Sequence, residues 1–289
     1  MMYGALEAGG TKMVCAIGDE YGHIFDRIRI PTGTPQDTMP LIIEFFSQYE
    51  LESVGIACFG PIDLHKGSTT YGYILNTPKL AWRNYNILGT ISEALGIPCG
   101  FDTDVNGSLL GEVTFGCARG LTDVIYLTIG TGIGGGVMTG GRLLHGMLHP
   151  ELGHIIVNPR ADDNYAGNCP YHGRCLEGMA AGPAIEKRWG QKAEMLTDNN
   201  TVWKLEAYYI AQALCTYIMT LSPQKIILGG GVMHQNQLID MIREEVASMV
   251  GGYIDTREYR NIKTYICTAS LNDDQGILGA IKLAIDCKL

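Results

Sequence analysis

The chain has 289 residues, 46% hydrophobic and 18% charged, with a formal net charge of −9. That is ordinary globular usage, with interior enough for two domains or one large one. Its 21 basic residues are scattered rather than gathered into a stripe, which excludes a nucleic-acid binder, and no apolar run is long enough to span a bilayer. Residues 1–10 lack a positive stretch followed by an apolar one, so no secretory signal is expected. Of nine cysteines, Cys15, Cys58, Cys99 and Cys267 sit singly in apolar runs and read as reduced core thiols of a cytoplasmic protein.

In chain order, the apolar pattern at 2–8 and 12–18, a turn at 19–22 and a third run at 24–30 predict an antiparallel meander. A helix is expected at 36–49 and a buried strand at 54–59. A helix at 86–95 stops at Gly96, and a short strand at 98–101 precedes a helix at 105–115. Strands at 124–129 and 134–138 flank a glycine-rich turn. Helix 201–221, strand 225–228, helix 236–249, strand 264–267 and helix 274–285 complete the chain. The second half opens as the first does, an internal echo in architecture more than in letters. It implies a small N-terminal lobe at 1–115, closed by the C-terminal helix 274–289, and a large lobe at 116–273. A substrate cleft is expected between the two lobes.

The densest chemical signal is His154, Cys169, His172 and Cys175, the last three in a C-x-x-H-x-x-C run. Two imidazoles and two thiols make a closed tetrahedral zinc set, which staples a loop (154–177) and leaves no position for water. The bland alternative is a chance cluster of buried thiols, but the spacing argues against it. Glu151 and Glu177 flank the four ligands, so the loop presents two carboxylates to a polar ligand.

Three segments put glycine where a backbone must approach an anion: Glu7-Ala8-Gly9-Gly10-Thr11-Lys12, Thr128-Ile129-Gly130-Thr131-Gly132-Ile133-Gly134-Gly135-Gly136 and Leu228-Gly229-Gly230-Gly231-Val232. Converging N–H groups, with a hydroxyl from Thr11 or Thr131, suit phosphate. None matches a Walker or a Rossmann pattern. Each alone is equally a tight structural hairpin; the three in this order are harder to dismiss.

With these motifs together, the chain resembles the ROK family of sugar kinases (repressors, open reading frames and kinases), and within it the fructokinase branch. The likeness covers essentially the whole chain. E-A-G-G-T-K and T-I-G-T-G-I-G-G-G are similar to the family's phosphate motifs, and L-G-G-G-V to its adenosine motif. E-L-G-H at 151–154 and C-L-E at 175–177 are similar to its sugar and zinc motifs. Glu7 replaces the family's commoner aspartate and His172 stands among the zinc ligands. Both departures, with G-P-I-D at 60–63 and N-T-P at 76–78, point to fructokinases. The resemblance implies an α/β, two-lobed actin-like (ribonuclease-H-like) ATPase fold with a zinc-bearing loop in the second lobe. It implies ATP, Mg²⁺ and Zn²⁺ as cofactors, a hexose substrate, and a homodimer with no nucleic-acid or membrane partner.

Phosphoryl transfer to a sugar hydroxyl needs a base, phosphate donors and a divalent cation. From the residues alone, Asp104 at the head of a helix is either that base or, like Asp102, a helix cap. The resemblance implies the base, with Asn106 two residues on helping to orient the site. The expected sugar contacts are Asn76, Asp104, Asn106, Glu151, His154 and Glu177, carboxylates being apt acceptors for a polyol. A second ring nitrogen on His154 could orient Glu151 or a sugar hydroxyl. The expected nucleotide contacts are Glu7, Gly9, Gly10, Thr11, Lys12, Thr131, Gly132, Gly182, Pro183, Gly229, Gly230 and Gly231. Lys12 is equally a plain surface lysine, and His23, His65, His145, His149 and His234 carry no spacing beyond structure.

The resulting expectation is a kinase making fructose 6-phosphate. Glucokinase, mannokinase and N-acetylmannosamine kinase are alternatives in the same chemistry, and a non-catalytic sugar sensor is one outside it. A repressor of this family would carry a helix-turn-helix ahead of the first phosphate motif, which here begins at Glu7.

Overall fold

A computed structural model describes residues 1–288. The chain forms two compact units, Met1–Gly120 with Leu143–Pro150 and Ser270 onward, and Leu121–Arg142 with Glu151–Ala269. The division expected from sequence fell after residue 115, whereas the compact units part after Gly120 and take 143–150 into the first. The last residue of the expected 274–289 helix, Leu289, lies outside the described residues.

In the first unit, β1 (Tyr3–Ala8), β2 (Lys12–Gly18) and β3 (Ile24–Pro31) form the antiparallel meander. After α1 (Pro35–Phe46) comes β4 (Val54–Cys58), parallel to β1. β5 (Tyr73–Ile74) and β6 (Tyr85–Asn86) make a separate ribbon, too short for any periodicity to announce. Then come α2 (Ile87–Leu95), β7 (Cys99–Thr103), parallel to β4, and α3 (Asp104–Thr114). Gly96, left-handed at φ 66°, ends α2 as its position suggests. The sheet order is β3-β2-β1-β4-β7.

All five residues of β4 are buried, which is why it reads as an unbroken apolar run rather than an alternating one. The C-terminal helix (Gln275–Asp286) lies against it so closely that a Cβ on Gly55 would fall 1.8 Å from the Ala280 carbonyl oxygen. Where the same helix crosses α3, a Cβ on Gly279 would come within 1.6 Å of the Gly107 oxygen. Glycine at these positions lets backbone meet backbone. Leu6, Met13, Ile17, Ile42, Phe46, Ile56 and Trp82 fill the core of this unit.

In the second unit, β8 (Val124–Ile129), β9 (Ile133–Thr139) and the two-residue β10 (Arg142–Leu143), whose last residue opens the 143–150 segment, are followed by α4 (Leu176–Ala180), α5 (Gly182–Trp189) and α6 (Asn200–Leu221). β11 (Lys225–Gly229), α7 (Leu238–Val250), α8 (Arg257–Arg260), α9 (Ile262–Tyr265) and β12 (Ile266–Thr268) complete it. The order β10-β9-β8-β11-β12 repeats that of the first sheet, a meander joined to two parallel strands, so the echo is one of topology. The strand expected at 264–267 is found as β12 at Ile266–Thr268, Thr264 and Tyr265 belonging to the turn of helix before it.

Candidate functional site

In open parallel sheets, ligands gather outside the carboxyl ends of the strands. At those ends in the first unit stand the turn after β1 and the start of α3 after β7. Gly9 to Lys12 form the tight β1–β2 turn, in which the Gly9 N–H donates to the Lys12 carbonyl at 3.0 Å. The Thr32 hydroxyl donates to the Gly9 carbonyl at 2.8 Å and braces the turn from β3's end. Thr11 and Lys12 are exposed. Glu7 is raised above the ordinary carboxylate range by burial, against the pull of Lys12. A Cβ on Gly276 would lie 2.6 Å from its carboxyl, so a glycine there makes room for it.

Asp104 is the first residue of α3 and its Oδ1 accepts from the Val105 N–H at 2.9 Å, but it is not the capping residue. Thr103 is, its hydroxyl accepting from the Asn106 N–H at 3.1 Å. Asp102 does not cap it either. Its buried carboxylate accepts from the Thr103 N–H at 2.8 Å and the Asn106 amide at 2.7 Å through one oxygen, and meets His145 Nε2 at 2.9 Å through the other. Hydrogen bonding to Asp102 holds His145 above the usual histidine range. Sequence reasoning assigned His145 nothing, since 43 residues separate it from its partner. A buried Asp two residues before the Asp104-x-Asn106 pair was the available clue.

His145 also lines a cavity of about 200 Å³ within this unit, with Ile62, Asp63, Leu75, Met147 and His149. The Asp63 carboxyl is held low by the Ser68 and Thr70 hydroxyls, which makes it an anchor for its own loop. Asn76, expected at the sugar, is exposed in the turn after β5.

The second unit draws the other glycine turns together. β8 and β11 are parallel neighbours, so their ends at Ile129 and Gly229 lie side by side. Gly230 adopts φ 88°, and a Cβ on it would fall 2.5 Å from the Ile129 oxygen. The Gly182 N–H donates to the Gly130 carbonyl at 2.8 Å, which staples the start of α5 to the same turn. Thr131, Gly132, Gly182, Pro183 and Gly229 to Gly231 thus belong to one local constellation. Glu177, in the first turn of α4, accepts from the Ile133 N–H at 3.0 Å and ties α4 to that turn. Burial, then the neighbouring Glu177 charge, pushes Glu151 above the ordinary carboxylate range.

The donor atoms of His154, Cys169, His172 and Cys175 all lie within 4.8 Å of one another. Both imidazoles turn Nδ1 to the thiols: Cys169 Sγ is 3.9 Å from His154 and 3.6 Å from His172, and Cys175 Sγ is 3.5 Å from His154. A tetrahedron with metal–sulfur and metal–nitrogen bonds of the usual lengths has N···S edges of about 3.6 Å. The set can hold a metal ion. Cys175 doubles as the cap of α4, its sulfur accepting from the Gly178 N–H, so the cluster and the helix bearing Glu177 share a residue.

The ROK family profile matches residues 3–287. The chain is 46% identical to a fructokinase of Lactococcus lactis subsp. cremoris, over 88% of this chain and 87% of that protein. It is 43% identical to the fructokinase of Pediococcus pentosaceus, over 98% of each. A ROK family glucokinase from Streptomyces griseus, solved with glucose and AMPPNP, superposes with a TM-score of 0.77 at 25% identity, covering 99% of this chain and 100% of that one. The chain belongs to the ROK family, and its fold is the family's kinase fold, of the actin-like ATPase type.

Proposed function

We propose that this protein is an ATP-dependent hexose kinase whose acceptor is D-fructose and whose product is fructose 6-phosphate. The observation that carries the chemistry is the carboxylate of Asp104 at the head of α3, in the first turn that Thr103 caps. In this reading the Asp104 carboxylate takes the proton of the sugar hydroxyl as its oxygen attacks the γ-phosphate of ATP. The glycine turns at Gly9 to Lys12, Gly130 to Gly132 and Gly229 to Gly231 offer N–H groups to the phosphates and the adenosine. Mg²⁺ arriving with ATP supplies charge neutralisation on the phosphate oxygens, and Glu7 is the hard carboxylate ligand offered to it. Asn76, Asn106, Glu151, His154 and Glu177 recognise the sugar hydroxyls.

The Cys/His cluster holds a structural Zn²⁺, supported by its tetrahedral N···S edges and its two-thiol, two-imidazole donor set. Fructose is preferred to glucose on the strength of the 43% and 46% identity to fructokinases, against 25% to the solved glucokinase. The reading includes a cytoplasmic homodimer, which the family likeness supports.

A panel of fructose, glucose, mannose and N-acetylmannosamine with ATP and Mg²⁺, followed by ADP release, tests both levels. Fructose is expected to give the highest kcat/KM. A higher value for another hexose overturns the acceptor and leaves the kinase standing, and no ADP release with any of them overturns the kinase.

A further inference from the structure

We propose that His145 is a positioning residue for phosphoryl transfer, acting through the Asp102 carboxylate to fix the Asn106 amide and the first turn of α3 on which Asp104 sits. This rests on the kinase reading above. Asp102 is only 3% exposed, at the end of β7, and a buried carboxylate needs donors on both oxygens. One oxygen is served locally, by Thr103 and Asn106; the other is served by His145 from the distant segment Leu143–Pro150.

The consequence falls on Asn106. Its Nδ2 donates to Asp102 at 2.7 Å, so a flipped amide would press oxygen against carboxylate oxygen. With Nε2 of His145 protonated toward Asp102, the 3.4 Å approach of Asn106 Nδ2 to that nitrogen is donor to donor and gives no help, so the 2.7 Å bond to Asp102 alone holds this orientation. Asn106 Oδ1 is thereby held as a buried acceptor, and it has no hydrogen-bond partner among the described residues. Leaving such an atom unpaired is costly, so the site favours an incoming donor. A hydroxyl of the acceptor sugar is one. By engaging the second oxygen of Asp102, the imidazole keeps the first oxygen turned to the Asn106 amide, two residues from Asp104, without touching substrate.

Charge matters as well as shape. Beyond Asp102, the titratable groups around this segment are Asp104 on α3, Tyr71, which feels the Asp102 charge, Asp63 and His65 on the cavity wall, and His149 on the segment itself. Burial keeps His149 below the usual histidine range, while its Nε2 accepts from the Ile62 N–H at 3.4 Å. His65 donates to the Met147 carbonyl at 3.2 Å. His145, with a side chain 40% exposed, is thus the member of this group in direct contact with Asp102 and open to solvent. Its pKa is raised in the folded state. The charged pair is therefore present at lower pH and lost as pH rises through the elevated value.

The test compares wild type, His145→Ala, His145→Gln and Asp102→Asn, all as the full chain. Gln can place an N–H near the position of Nε2 without titrating. In His145→Ala, kcat on fructose is expected to fall about 10- to 100-fold with fructose KM changed less, the usual cost of a misplaced reacting group. His145→Gln should recover most of that loss and abolish the alkaline limb of the kcat profile. By NMR, the His145 imidazole of wild type should titrate above an ordinary histidine, and below the wild-type value in Asp102→Asn. The Asn106 side-chain amide should broaden or shift in His145→Ala. An Ala variant with wild-type kcat and pH profile overturns the proposal. So does an Ala variant that loses activity while the Asn106 amide is unchanged. Wild type inactive on every hexose would sink the kinase reading instead, and the NMR arms would still decide whether His145 governs Asn106.

Discussion

Asp104 shows how a single atom's neighbours separate two readings of one residue. Had it capped α3, its replacement would cost stability and blur any kinetic result. Thr103 caps instead, so Asp104→Asn loses little more than a carboxylate near the helix N-terminus, about 0.5 kcal/mol. We expect the variant to melt close to wild type and to bind fructose with similar Kd. Its kcat should fall about 10²–10⁴-fold, because Asn cannot accept the hydroxyl proton. Melting, sugar binding and turnover measured on one preparation decide it, and turnover within a few-fold of wild type would remove Asp104 from the chemistry.

At the scale of elements, the segment from Glu151 to α4 carries little regular structure of its own. Among the described residues it has a short 3-10 turn, isolated bridges and the four-donor cluster. In the proposed reading, a metal on the four donors would supply free energy that so irregular a segment gains little of from regular structure. Cys175 joins the cluster to the cap of α4, and Glu177 joins α4 to the glycine turn after β8. We therefore expect about one zinc per chain by elemental analysis, as a four-ligand structural site requires. In Cys175→Ser the metal should be lost, Tm should fall by at least about 5 °C and sugar affinity should drop with it. A zinc-free preparation as stable and active as the untreated protein would show the loop needs no metal.

At the scale of the whole molecule, pH-dependent stability should report a buried charge cluster in the second unit. Arg188 pairs with Asp163 at 3.2 Å and Glu206 at 3.4 Å, with its guanidinium 4.4 Å above the Tyr165 ring. One cation faces two carboxyls. Asp163 also accepts from the Tyr209 hydroxyl at 2.6 Å, whereas Glu206 is fully buried. Burial raises Glu206 from its ordinary 4.5 to about 8. Between those values the folded chain holds a proton that the unfolded chain has released, so stability should fall as pH rises through this window and level off above it. Urea unfolding from pH 5 to 9 should show that slope in wild type and a clearly shallower one in Glu206→Gln. Equal slopes would mean that Glu206 is ionised when folded.

Local order along the chain determined much of this protein. The meander, the buried β4, the stop at Gly96, the long α6 and the Cys-x-x-His-x-x-Cys run are dictated by periodicity, glycine and ligand spacing within a few residues. The same local logic suggested Asp102 or Asp104 as a cap, and there it failed, because three adjacent oxygen-bearing side chains compete and only backbone geometry chose Thr103. The Asp102–His145 pair, the joining of Gly130 with Gly182, and the Arg188 cluster join residues well apart in the chain. Hydrogen bonds and ion pairs act over about 3 Å of space whatever the separation along the chain, so only the packed structure could decide which polar groups meet.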